Sequence, residues 1–409
     1  MDWADTEKQA AFRADVRSFM EENLPAGYRD LDERGPHDPP PTGDWRHDRK
    51  SLDPDVRRTA EDWGHVVGER GWTAPHWPKE YGGADLSVME PFIFAQELAE
   101  AAAPVIDPIG IRLMGSTLVI HGTEEQRREH LPRMLAGDGG WAQCFSEPGA
   151  GSDLASLSTR AVRDGDEYVI NGQKIWTSGG HEADWASLLV RTDPEAPKHR
   201  GITFLMVDMK APGVEVRPII DATGRHYVNE VFFEDVRVPV TNRVGEENRG
   251  WYVATTLLDF ERSNVSGAIV NRKTIRRLLD YARGEGRHFA RLDRSDALRQ
   301  DLAHSFIATE VQFSFSLRIA SIQVTGAVPN YEASVNKMFG SELGQALART
   351  GTKVFGLYSN IWDGMHPLAP MKARFAVSYV GSIPSTIAAG SSEIQRNVIA
   401  TRGLGLPRG

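Results

Sequence analysis

The sequence predicts an α+β protein in three blocks: an N-terminal α-helical domain over residues 1–140, a middle antiparallel β-domain over 141–245 and a C-terminal α-helical bundle over 246–409. Three observations predict it. Apolar residues recur at helical spacing through the first block. Short Val-, Ile- and Phe-rich runs, punctuated by Gly and Pro with no helical pattern between them, fill the second. Long helical patterns return at Trp251 and run nearly to the end.

In Glu7–Leu24, Phe12, Val16, Phe19, Met20 and Leu24 form one apolar stripe. Residues 35–43, with Pro39, Pro40 and Pro41, read as a surface loop. Val56–Gly71 and Met89–Ala103 are again helical in pattern. Thr123 reads as an N-cap, with Glu124 and Glu125 in the first turn that follows. In the middle block, Ser158–Arg163 and Glu167–Asn171 flank Asp164-Gly165, a hairpin turn signal. Ala186–Thr192, Gly201–Asp208, Gly213–Ile220 and Glu230–Pro239 are the further strands. Trp251–Arg283, Asp296–Ile322 and Tyr331–Leu357 are the long helices of the last block.

Composition narrows the function classes. Lys and Arg number 47 against 56 Asp and Glu, a net charge of −9 with no basic run. That balance argues against nucleic acid and against an anionic membrane surface as partners. Apolar stretches such as Gly201–Val207 are too short to span a bilayer. The opening residues MDWADTEKQAAFRADV show no apolar h-region, so no secretory signal is expected. The lone cysteine, Cys144, excludes an intramolecular disulfide and a multi-Cys metal site. A reducing, cytoplasmic setting is expected. The histidines show no ligand spacing, so no metal is expected. Gly149-Ala150-Gly151-Ser152-Asp153-Leu154 starts like a dinucleotide fingerprint, but Leu154 stands at the third glycine and a β-region follows. Asn264-Val265-Ser266 matches a glycosylation sequon only by pattern.

Two segments carry candidate chemistry. Cys144–Ser156 reads CFSEPGAGSDLAS. Its small residues let backbone approach a flat or phosphorylated ligand, with Ser146 and Ser152 as hydroxyl donors. A tight turn capped by Asp153 is the alternative. Gly172–Gly180 reads GQKIWTSGG. Trp176 beside Thr177 and Ser178 suits an aromatic heterocycle; a core Trp next to a turn is the alternative.

These two segments, with RPIIDATGRHYVNEVFFEDVRVP (Arg217–Pro239), Phe260-Glu261-Arg262 and AAGSSEIQRNVIATRGLGLPR (Ala388–Arg408), resemble the acyl-CoA dehydrogenase family over nearly the whole chain. The last third resembles bacterial members, including those acting on bulky or branched acyl-CoA. The resemblance implies FAD as cofactor and an acyl-CoA thioester as substrate. In that picture Phe145 and Ser146 lie along the flavin's pyrimidine edge. Gly151 and Ser152 border the pyrophosphate and the CoA ester. Trp176 packs on the ring, and Thr177 and Ser178 line its hydride-accepting nitrogen. Ser391 and Glu393 touch the cofactor from the last helices. Arg287 corresponds to an arginine that reaches a neighbouring subunit's FAD. The sequence departs from the pattern in places: Phe145 stands where a smaller aliphatic residue is common, Phe289-Ala290 replaces an aromatic–glycine pair, Lys353 replaces a glutamine, and Gly356-Leu357 replaces a glycine pair.

The resemblance also implies removal of an α-proton and transfer of a β-hydride to flavin, giving a trans-2-enoyl-CoA. A carboxylate in a desolvated site is the base such a step needs. Many family members carry it immediately before the glycine matching Gly390; here Ala389 stands there, and its backbone N–H is left to donate to the thioester carbonyl. The family's second location for the base corresponds to Glu261. Helical spacing places Glu261 on a face with Leu257, Leu258, Val265 and Ala268, where a carboxylate is costly unless partnered or functional. A cation partner or a solvent-facing stripe are the alternatives. Arg262 reads as structural or close to substrate. The implied partners are an electron-transferring flavoprotein and further subunits, as a homodimer or homotetramer. A non-catalytic half of a hetero-oligomer, and a flavin oxidase or monooxygenase on the same scaffold, are the competing functions.

Overall fold

Thr6 starts the first helix with a reciprocal cap. Its hydroxyl accepts from the Gln9 N–H, and the Gln9 side chain accepts from the Thr6 N–H. The computed structural model describes residues 4–262, 265–292, 295–327 and 329–407, without the side chains of residues 259–262. By internal contacts these residues form two units, each assembled from separate stretches of chain.

The first unit takes residues 1–44, 86–104 and 262–409 and is helical. Glu7–Asn23 and Met89–Glu100 are tied through Glu97, which accepts from Arg13 at 2.6 Å and Arg17 at 2.7 Å while only 5% exposed. Lys273 Nζ donates to the carbonyls of Ala99 and Glu100, satisfying the end of the second of these helices. Ile275, Leu278, Leu302, Leu343, Leu347, Phe355 and Phe375 form the core of Ser266–Arg283, Asp296–Val324, Tyr331–Phe355 and Arg374–Gly381. The helix expected over 251–283 is described as two, Gly250–Arg262 and Ser266–Arg283, with 263–264 outside the described residues. The sequon asparagine, Asn264, falls there too.

The second unit takes residues 45–85 and 105–261 and holds the sheet. Thr123 caps Glu124–Leu135 as expected, in a capping box with Gln126. Seven strands follow: β1 Trp141–Cys144, β2 Arg160–Asp164, β3 Glu167–Ser178, β4 Trp185–Arg191, β5 Ile202–Asp208, β6 Val214–Ile220 and β7 His226–Pro239. The order is β1-β4-β2-β3-β7-β6, with β5 on β4. Most pairs are antiparallel, but β1 and β2 each run parallel to β4. The β2–β3 hairpin lies between β1 and β4 in the chain, so the backbone crosses over before pairing.

Alternation along the strands feeds two cores. In β5, Ile202, Phe204 and Met206 enter a cluster with Trp77, Leu118, Leu131 and Trp141; Leu205 and Val207 enter another with Tyr168, Ile170, Val231 and Phe233. Burial on both faces explains why β4 and β5 read as unbroken apolar runs. Val253, Ala254 and Leu257 of the helix Gly250–Arg262 join the first cluster, which also contains Phe145 and Ala150.

Ile109–Gly115 is a π-helical stretch whose last residue lies against Trp77, a side chain 1% exposed. A Cβ at Gly115 would overlap that indole. Gly115→Ala is expected to cost about 1–3 kcal/mol by overpacking. Urea denaturation checks this, and an unchanged midpoint would contradict the packing.

Candidate active site

β3 is the element that shapes the site. It pairs with β7 in regular register except between Ile170 and Gly172 and between Lys174 and Thr177. At the second irregularity Trp176 has φ +63°, a conformation costly for a residue with a Cβ. The bulge takes Trp176 out of the ladder and leaves it 60% exposed. It is therefore no core tryptophan. Neighbouring Thr177 is buried, with its hydroxyl 3.7 Å from Cys144 Sγ. Its carbonyl accepts from buried Asn229 at 2.9 Å, and Asn229 in turn meets His226 Nε2 at 2.7 Å. Ser178 is half-buried and pairs with Val228. Burial pushes the Cys144 thiol up to about 11, so it is no nucleophile at neutral pH.

The loop after β1 is fastened to β3. Phe145 is buried, edge-on to Phe204 at 6.0 Å. The Ser146 carbonyl accepts from the Ile175 N–H at 2.9 Å. Glu147 and Ala150 exchange both backbone hydrogen bonds at 3.0 Å, folding Pro148-Gly149 into a tight turn. Asp153 accepts from Ser156 and Lys198. The loop does make a tight turn, but Asp153 does not cap it: it heads Leu154–Ser156 without a side-chain cap bond, and the turn leaves the glycines unexplained. Neither Gly149 nor Gly151 has a positive φ, and a Cβ on either would meet no atom of the described residues within 4 Å. Among the described residues no contact and no positive φ requires glycine there. A ligand lying close to the backbone would. With Ser152 exposed beside them and the Trp176 indole presented on the adjoining strand, these residues fit a flat, phosphate-bearing group such as a flavin dinucleotide.

Glu147 and Lys174, inside the two motifs but given no role from sequence, form a buried pair. Lys174 is 0% exposed; its ammonium donates to Glu147 Oε1 at 2.8 Å and to the Phe145 carbonyl at 3.1 Å. Glu147 also accepts from the Ser158 N–H and hydroxyl and from the Thr159 N–H, at 2.7–2.8 Å. Burial by itself would raise the Glu147 carboxyl. The Lys174 charge and these donors outweigh it and hold the group at about 2. A signal existed: Lys174 shares the inward period of β3 with Tyr168 and Ile170, and an inward charge needs a partner.

Of the other predicted residues, Glu261 ends the sheet-bearing unit and the rest lie in the helical unit. Ala389 has φ +55° and Gly390 φ +80°. Gln395, fully buried, donates to both of their carbonyls at 3.0 and 3.2 Å, and Lys337 Nζ donates to the Gly390 carbonyl at 2.8 Å. Ser391 caps Ser392–Val398 through the Ile394 N–H. Glu393 is exposed in that first turn, its carboxyl lowered by its own backbone N–H and then by Ser391. Arg287 is exposed on the turn after Ser266–Arg283. Phe289 packs edge-on to Tyr358 at 4.8 Å. Lys353 pairs with Asp301 at 3.1 Å, and Leu357 is 86% exposed. The side chains of Glu261 and Arg262 lie outside the described residues; the backbone at both is helical. Among the described residues no group of three or more His, Cys, Asp or Glu could hold a metal, and no helix is long and apolar enough to cross a membrane.

This arrangement suits a flat cofactor lying against a β-sheet. Comparison with known proteins narrows the class. Residues 6–138, 142–236 and 248–404 match the N-terminal, middle and C-terminal domain models of acyl-CoA dehydrogenases. Acyl-CoA dehydrogenase FadE26 of Mycobacterium tuberculosis (strain ATCC 25618 / H37Rv) is 39% identical over 350 residues, covering 84% of this chain and 86% of the relative. Acyl-CoA dehydrogenase IpdE1 of the same organism is 35% identical, covering 97% of each. A solved structure described as "Tcur3481-Tcur3483 steroid ACAD" superposes with a TM-score of 0.83 at 33% identity, covering 100% of each chain. The ChsE4-ChsE5 complex from Mycobacterium tuberculosis gives 0.80 at 35%, again with 100% of each chain covered. The chain belongs to the acyl-CoA dehydrogenase family, a family of flavin-dependent oxidoreductases.

Removing Lys174 leaves Glu147 buried without its counter-charge, so Lys174→Met is expected to cost about 3–5 kcal/mol of stability, read by chemical denaturation. The pH dependence has a definite sign. Glu147 falls from an ordinary 4.5 to about 2 on folding, so its contribution is complete above 4.5 and lost as pH drops toward 2. Thermal melts across that window should show stability falling with pH, and Glu147→Gln should reduce the slope. An equal slope in the variant would contradict the assignment.

Proposed function

We propose that the chain binds FAD and α,β-desaturates an acyl-CoA thioester to a trans-2-enoyl-CoA, with Glu261 as the base. The observation that carries this reading is the pairing of the out-turned Trp176 with a glycine loop whose glycines the protein alone does not require. FAD, when bound, supplies the acceptor for the hydride leaving the β-carbon. Trp176 offers its indole face to the ring. Phe145 and Ser146 border the pyrimidine edge, and Gly151 and Ser152 the pyrophosphate and the CoA ester. Thr177 is buried, so its contribution is through backbone, while half-buried Ser178 offers its hydroxyl. Ser391 and Glu393 also serve the cofactor.

Glu261 takes the α-proton. It stands one helical turn beyond Leu257, which is 1% exposed. A base at this position would need a desolvated site, since desolvation raises a carboxylate's basicity. The Ala389 N–H donates to the thioester oxygen as charge develops there. Its positive φ, held by Gln395 and Lys337, fixes the direction of that donor. Arg262 borders the substrate. Electrons pass on to an electron-transferring flavoprotein.

The acyl group is bulky and of steroid type. The similarity to the protein described as a steroid ACAD, over the full length of both chains, supports this. A second reading concerns assembly. Arg287 is placed to serve a neighbouring subunit's FAD in a homodimer or homotetramer. Lys353, engaged with Asp301, and the exposed Leu357 replace the family's glutamine and glycine, which favours a related but different chain as the partner. The two-name descriptions of both solved relatives point the same way.

Glu261→Gln is expected to retain flavin and lose about 10²–10⁴-fold in turnover; near-normal turnover would remove Glu261 from the role. An anaerobic screen should bleach the flavin with steroid-side-chain acyl-CoA and leave it yellow with butyryl-CoA. Bleaching by butyryl-CoA alone would refute the substrate class, and rapid oxygen uptake without an electron acceptor would refute the dehydrogenase. A colourless product that takes up flavin only with a second chain would establish the hetero-oligomer.

A further inference from the structure

We propose that Glu147 and Lys174 are positioning residues: their buried ion pair fixes the 145–152 loop against Trp176, and so sets the cleft into which the flavin fits. The inference rests on the flavin reading above and adds to it residues that touch no ligand.

The geometry is that of a brace between two segments. Lys174 and Ile175 are the two residues immediately before Trp176. The Lys174 ammonium holds the Phe145 carbonyl, and the Ile175 N–H holds the Ser146 carbonyl. Consecutive residues of the loop are thus fastened to consecutive residues of β3, one step from the bulge. Glu147 closes the arrangement. Its backbone is engaged with Ala150, while its carboxylate receives four donors, from Lys174, Thr159 and Ser158. Four donors fill the acceptor capacity of a carboxylate.

Stability does not account for an ion pair here. Apolar side chains of similar volume commonly hold a protein interior as well or better, because two charges must be stripped of water. What an ammonium adds is direction. It binds one carboxylate and one backbone carbonyl at set angles, where a methionine or leucine would accept a range of loop positions. The bulge makes direction matter. Trp176 sits at φ +63° outside the ladder, and the regular β3–β7 pairs resume only at Thr177. Displacing the loop would therefore alter the gap beside the indole without unfolding the sheet.

The test compares Lys174→Met and Glu147→Gln with a core control, Val207→Ala. Val207 is fully buried in the cluster around Tyr168 and Val231. For each full-length protein we would measure the melting temperature, the FAD dissociation constant, and amide exchange of peptides covering 145–152 and 174–178. The brace predicts at least tenfold weaker FAD binding and at least tenfold faster exchange in both segments for the pair variants. It predicts changes within twofold for Val207→Ala at a comparable loss of melting temperature. If Lys174→Met does not fold, the isosteric Glu147→Gln decides. FAD binding within twofold of the parent in the pair variants, or equal weakening in Val207→Ala, would overturn the proposal. A parent chain that takes up no FAD would instead sink the flavin reading, and the exchange of the two segments would still decide whether the pair fixes the loop.

Discussion

The candidate site depends on a single irregularity in the backbone of β3. Between Lys174 and Thr177 the strand slips against β7, and Trp176 leaves the ladder in a left-handed conformation. A non-glycine residue there costs of order 1–3 kcal/mol and persists only when its surroundings determine it. Those surroundings are explicit. Ile175 is tied to Ser146, Lys174 to Phe145 and Glu147, and the Thr177 carbonyl to Asn229. The strand is held on both sides of the bulge, so the indole is presented from a rigid base.

Glycines in this region differ in what the surrounding protein asks of them. Gly179 has φ +60°, and a side chain there would run into Arg46. It is glycine for reasons internal to the fold. Among the described residues, Gly149 and Gly151 have neither a positive φ nor a neighbour within 4 Å of a Cβ. In the helical unit, Ala389 takes a conformation suited to glycine although it carries a methyl group, and Gln395 and Lys337 hold the carbonyls around it. Trp176 in one unit and Ala389 in the other are thus positive-φ residues whose neighbouring backbone is held by buried or half-buried side chains.

Much of this was legible in the residues. Unbroken apolar runs mark β4 and β5 because both faces are buried, and Thr123 with Gln126 marks a helix start. Motif spacing led to Trp176 and to the loop beside it. The extension of β3 past Asn171 was not legible, because exposed Asn171 and the glycine after it interrupt the apolar alternation and a bulge before Thr177 breaks the two-residue period. The parallel pairing of β1 and β2 with β4 was not legible either, since it depends on a crossover rather than on a local turn. Nor could local pattern show that residues 1–44 and 86–104 group with the last third of the chain while 45–85 group with the sheet. Such grouping comes from long-range contacts like Lys273 on the carbonyls of Ala99 and Glu100. The pairing of Glu147 with Lys174 needed three dimensions: each charge was visible, but their meeting was not.

The account stands on a carboxylate and an indole serving one bound flavin. A crystal structure of the FAD-loaded protein with a non-reactive acyl-CoA analogue tests it most directly. The account predicts the Trp176 ring in van der Waals contact with the isoalloxazine, about 4 Å away, and the Glu261 carboxylate within hydrogen-bond reach of the analogue's α-carbon position, about 3 Å. A Glu261 carboxylate directed into bulk water, or a flavin bound away from Trp176, would contradict it.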